Sequence, residues 1–199
     1  NYHFDEVEKG TYNLVVVAED GKTKTELVKV DEAGSFVKNV ELPVSEVNSV
    51  VEHSGSVISG DKVRAEETVV GGLETIAEQE TPEPGQKITI KLTVEPEADT
   101  ATEAQQAIKE EAGTGKEVDF FDLTLTRQVN AEEPEDIGDD NDQLLTIVMP
   151  FDFTGVDVNS VAVLRYHGDD AEAMTANPAA GNEGFKVDAQ ANSITIYGE

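Results

Sequence analysis

Along much of the chain apolar and polar residues alternate over short segments, the period-2 signature of strands that bury one face. In residues 87–94 Ile88, Ile90, Leu92 and Val94 fall on one side, and Lys87, Thr89, Lys91 and Thr93 on the other. That stretch predicts a half-buried strand with one wet face. Phe121, Leu123 and Leu125 alternate with Asp122, Thr124 and Thr126, and a fuller apolar run at 144–149 ends at Pro150. Residues 12–18 are β-branched and continuous enough to predict burial on both faces. Asp20-Gly21 then supplies the positive φ of a tight hairpin into the alternating stretch 22–30. Leu27 sits on one face there and Val28 and Val30 on the other, so one end is expected to be more buried. Further strands are predicted at 36–42, 49–53, 67–70, 161–167, 171–174 and 193–197, punctuated by Pro43, Gly71-Gly72 and Gly168-Asp169.

One helix stands out, at 100–113. Thr100-x-x-Glu103 reads as a capping box, Gly113 as a left-handed stop, and Ala101, Ala104, Ile108 and Ala112 as the apolar stripe. Residues 78–85, with two prolines and a glycine among acids, read as an extended, solvated link. The expected organisation is therefore mainly β. Two tandem β-sandwich domains, immunoglobulin-like or prealbumin-like, span 1–80 and 86–199, the second carrying the helix. No fixed-period repeat points to a solenoid.

The composition narrows the partners. Acids outnumber bases 42 to 14, for a formal net charge of -28. Such a field repels phosphate backbones and anionic lipids, which argues against nucleic acid and direct membrane contact while leaving cations and basic proteins open. A halophilic origin and an acidic exported protein fit this balance equally. With no Cys among 199 residues, disulfides, Cys-ligated zinc and thiol nucleophiles are excluded together. No apolar run reaches the length of a membrane span. No basic-then-apolar leader precedes Tyr2, and the chain starts in mid-pattern at Asn1, so it reads as a piece of a longer polypeptide.

Candidate chemistry is sparse. His3, His53 and His167 are far apart and lack the helical spacing of a metal site. His167 with Asp169 and Asp170, and Ser160 as nucleophile, would require neighbouring strand and turn residues to converge. Asp136, Asp139, Asp140 and Asp142 gather the hard oxygen ligands that Ca²⁺ takes, without the spacing of an EF-hand loop. They are read first as an acidic hairpin tip and second as a weak calcium site; no other cofactor is expected. Lys38, Lys91 and Asn13 lie on strand-like segments, as an intramolecular Lys–Asn isopeptide bond beside a Glu would need.

Phe4, Val7, Gly10, Tyr12 and Leu14 form a line that resembles the carboxypeptidase-regulatory-like and Cna-B-like sandwich modules of Gram-positive surface proteins. Phe120 to Leu125, Ile147 to Pro150 and Leu164 to Asp169 are similar to lines in C-proximal domains of large cell-wall proteins from anaerobic Firmicutes. The first resemblance implies no enzymatic residues. The second implies one more strand after the segment 194–197, and hence an unpaired edge in the final sheet. Together they imply an extracellular, cell-surface, non-enzymatic module, a stalk or adhesin type, whose partners are its neighbouring domains and a host protein or glycan. An accessory carbohydrate-binding module of a secreted glycan-degrading enzyme is the alternative. A hydrolase built on two carboxylates ranks last, since no spacing singles out a pair.

Overall fold

The computed structural model of the chain describes residues 7–17, 23–31, 40–41, 44–54, 62–138, 141–167 and 170–198. The fold is mainly β. By its contacts the chain divides into unit 1, Asn1–Glu46 with Pro82–Lys87, and unit 2, Val47–Thr81 with Ile88–Glu199.

In unit 1 β1 (Gly10–Val17) pairs antiparallel with β2 (Thr23–Val30), with Gly10 opposite Val30 and Val17 opposite Thr23. The register places Tyr12, Leu14, Val16, Val28 and Val30 on one face. Val30 is buried, whereas Val15 is 56% and Leu27 72% exposed on the other face. The expected two-sided burial of β1 is thus corrected: β-branched residues favour an extended backbone whether or not both faces are covered. The hairpin tip at Asp20-Gly21 and most of the segment 36–42 lie outside the described residues.

Unit 2 contains two four-stranded sheets. One runs β3 (Glu46–His53), β5 (Lys87–Glu97), β6 (Phe120–Val129), β7 (Glu135–Asp136), with β3 and β5 beginning in unit 1. The other runs β11 (Gly184–Asp188), β12 (Ser193–Gly198), β8 (Leu145–Pro150), β4 (Val69–Gly71). β5 and β6 are antiparallel, with Leu92 opposite Leu125. Glu46 N–H donates to the Gln86 carbonyl and Ser54 N–H to that of Val94, both at 3.1 Å, so β3 runs parallel to β5. Parallel neighbours need a crossover, and this one visits the opposite sheet as β4 and then forms α1 (Leu73–Gln79).

The two sheets share one core. Ile88, Ile90, Leu92 and Val94 of β5 meet Leu145, Ile147 and Met149 of β8, Leu125 of β6 and Leu73, Ile76 and Ala77 of α1. None of the four β5 side chains is more than 2% exposed. Each removes apolar surface from water worth roughly 2 kcal/mol. The alternation at 87–94 therefore has the outcome it predicts.

The division expected between 80 and 86 is corrected. β3, β4 and α1 precede it, yet they complete sheets and core with strands that follow it. Residues 83–86 close a turn instead, in which Gln86 N–H donates to the Glu83 carbonyl at 3.0 Å. Proline and glycine report local backbone geometry, and that geometry suits a turn inside a fold as well as a linker. β12 has a neighbour on each side. β11 forms the margin, where Phe185 N–H donates to the Thr175 carbonyl at 2.9 Å and Asn177 N–H to the Phe185 carbonyl at 2.7 Å. The chain thereby covers part of its own edge.

The expected helix is α2 (Glu103–Ala112), and its cap lies two residues later than the sequence predicts. Thr102 is the N-cap: its hydroxyl accepts Gln105 N–H at 3.3 Å, and the Gln105 side chain answers to Thr102 N–H at 3.3 Å. The same amide oxygen accepts Thr100 N–H at 2.9 Å, and Gln105 Nε2 donates to the Ala98 carbonyl at 3.0 Å. One buried glutamine thus engages Ala98, Thr100 and Thr102 of the entry turn, while Asp99 accepts Ala101 N–H at 3.2 Å. Ala101, at a φ of 56°, falls outside the helix. Gly113 ends it at a φ of 85°, and α2 lies against the hairpin of β9 (Leu164–His167) and β10 (Asp170–Ala173).

Candidate functional site

The acidic segment does not assemble a cation cage among the described residues. Asp136 lies in β7 opposite Thr126, and its Oδ1 accepts Gly138 N–H at 3.0 Å. Asp142 is exposed just before β8, and Asp139 and Asp140 lie outside the described residues. No group of three or more His, Asp and Glu side chains there is arranged to hold a metal. His53 Nε2 lies 2.9 Å from the Thr68 carbonyl. Ser160 donates its hydroxyl to the Asp157 carbonyl at 2.7 Å, while His167 faces Asp170 across β9 and β10. Serine and histidine are thus engaged locally. Asp169, like His3, falls outside the described residues. Lys91 forms an ion pair with Glu52 at 2.8 Å, and Asn13 lies on the unit 1 hairpin opposite Leu27. Lys38 is not among the described residues.

Two hollows open on unit 2. One, of about 270 Å³, is lined by Asp99, Lys109, Thr114, Lys116 and Val118 with the glycines after α2. Lys109 is paired with Asp99 there, and this pairing chiefly holds the Asp99 carboxyl below the usual carboxylate range. The hollow also sits at a helix C-terminus, whose carbonyl dipoles disfavour anions.

The second hollow, of about 410 Å³, is lined by Arg64, Phe151, Asp152, Thr154 and Asn192. Three segments remote in sequence build it. Residues 62–64 run beside 150–152, where Arg64 N–H donates to the Pro150 carbonyl at 3.0 Å and Asp152 N–H to that of Lys62 at 2.8 Å. Phe151 N–H donates to the Asn192 carbonyl at 2.8 Å. Asn192, at a φ of 52°, ends a turn in which Asp188 Oδ1 accepts the N–H groups of Gln190 and Ala191, each at 2.9 Å. Asparagine tolerates that left-handed backbone better than most residues.

The side chains on this frame are fixed as well. The Phe151 and Phe153 rings pack at 4.6 Å with a tilt of 47°. Asp152 Oδ1 accepts Thr154 N–H at 2.9 Å, and Lys62 Nζ donates to the Thr154 carbonyl at 3.1 Å. The Thr154 side chain and N–H, with more distant help from Lys62 and Arg64, hold the Asp152 carboxyl below its usual range. Arg64 is steadied by Glu67 at 3.2 Å. The result is an aromatic wall flanked by a guanidinium, a carboxylate and an amide.

Comparison with protein families, with curated proteins and with solved structures finds no match to this chain. The hollow was not legible in the sequence. Its residues come from three separated segments, and nothing in the spacing of Arg64, Phe151 and Asn192 ties them together; only the backbone bonds of 150–152 to residues 62–64 and to Asn192 do so.

Proposed function

We propose that the chain is a non-enzymatic module of an exported bacterial cell-surface protein, serving as a stalk or adhesin-type spacer. The observation that supports this reading is the build of unit 2. Two sheets close on one dry core, the β11 margin is partly covered by the chain itself, and the charge of -28 is carried by a surface rich in carboxylates. A close-packed sandwich resists bending and compression, and a strongly charged exterior keeps crowded copies soluble and apart. Its proposed partners are the neighbouring domains of the same polypeptide and a ligand on the opposing surface.

The test is labelling of intact, unpermeabilised cells of the source organism with an antibody raised against this chain, before and after protease shaving. The reading requires a signal on intact cells that shaving removes. Signal seen only after permeabilisation overturns it.

A further inference from the structure

We infer that the hollow framed by Arg64, Phe151, Asp152 and Asn192 is a binding site for a neutral saccharide. This deepens the adhesin-type reading by naming the ligand class and the place where it docks.

The hollow, about 410 Å³ and open to solvent, is a shallow surface site, which suits contact with a terminal sugar unit of a larger glycan. A sugar ring presents two kinds of surface, C–H groups on its faces and hydroxyls around its rim, and each hydroxyl both donates and accepts. The lining matches both. Phe151 offers an aromatic surface to C–H groups, while Asp152 accepts, Arg64 donates and the Asn192 amide does both. The Asp152 carboxylate, engaged by Thr154, is exposed to solvent and can accept from a ligand hydroxyl. Arg64 binds Glu67 through Nη1, which leaves its other guanidinium nitrogens for a ligand.

Charge decides between a neutral and an acidic sugar. Within the lining the charges of Arg64 and Asp152 cancel, and the chain as a whole, at -28, repels anions. The frame is set before any ligand arrives, because backbone bonds at 2.8–3.0 Å tie the three segments together. Little ordering is then required on binding.

The experiment titrates the full chain with neutral disaccharides of gluco, galacto and manno configuration, with glucuronate as the charged control, followed by amide NMR. At least one neutral sugar is expected to shift the amides of Arg64, Phe151, Asp152, Thr154 and Asn192 at millimolar concentration. Asn192→Gly keeps the left-handed backbone while deleting the amide. Asp152→Asn keeps the shape and deletes the charge. Each is expected to weaken that binding about tenfold, as loss of one or two hydrogen bonds does, with an unchanged melting temperature for Asn192→Gly. The proposal is overturned by amide shifts that map elsewhere, by preference for glucuronate, by absence of any shift, or by an Asn192→Gly variant that binds as tightly as the parent. Cell labelling is independent of all four results, so failure here leaves the surface-module reading standing.

Discussion

Gly184 holds a φ of 146°, and a Cβ placed on it would strike the Thr175 carbonyl and the Pro178 ring. Backbone strain and collision act together there, so Gly184→Ala is expected to cost about 2–4 kcal/mol. Urea denaturation measures this, and a loss under about 0.5 kcal/mol, the range of an ordinary surface substitution, contradicts it. Gln105 carries the entry turn of α2 in the same concentrated way. Its replacement by Ala strands the N–H of Thr100 and the carbonyl of Ala98, for an expected loss of about 2 kcal/mol and weaker helical circular dichroism. Asp99 and Asp152 have carboxyls held below their ordinary values, by Lys109 and by Thr154 respectively. A lowered folded-state value contributes stability that is complete above the unfolded value, near pH 4, and is lost as pH falls through the folded one. Asp99→Asn should therefore lower stability at neutral pH and flatten the acid limb of the curve, the two proteins converging once the carboxyl is protonated. Parallel limbs for parent and variant would refute this.

Elements show where sequence pattern is a sufficient guide and where it is not. Strict alternation placed β5, and the apolar run placed β8, because a strand at the centre of a sandwich must be apolar on its inner face at every second residue. α1 is faint in the sequence because it offers only Leu73, Ile76 and Ala77 across seven residues and follows two glycines. It has no side-chain N-cap bond. Burial of those three residues and a clamp hold it, Arg127 gripping Glu80 through Nε at 2.7 Å and Nη2 at 3.0 Å. Lys at position 127 keeps the charge but not the fork. Arg127→Lys is expected to lose about 1 kcal/mol, and a double-mutant cycle with Glu80→Gln should return coupling of that size. Additive effects would show that the clamp contributes nothing. β11 is faint in the sequence for a related reason: five residues beginning with a glycine give only Phe185 and Val187 as a pattern. In β1, propensity was mistaken for burial, since exposure at Val15 depends on what covers the face.

At the scale of the whole molecule, the excess of carboxylates sets the response to salt. Self-repulsion at -28 opposes compaction, and added salt shortens its reach to about 8 Å near physiological ionic strength. The melting temperature is expected to climb between roughly 10 mM and 150 mM sodium chloride and then level off. A flat profile would mean that local ion pairs, such as those of Arg165 with Glu172 and Glu183, already balance the field.

The strand pairing also bears on how the molecule comes into being. β8 finds its partners in Val69–Gly71 and in Ser193–Gly198, and β5 finds one of its own in Phe120–Val129. A chain emerging from a ribosome makes β5 and β8 well before β12 arrives. Until Ser193–Gly198 appears, β8 has an unfilled side. Closure of this sheet thus waits for a strand made well after β8, with the slow kinetics that long-range pairing imposes.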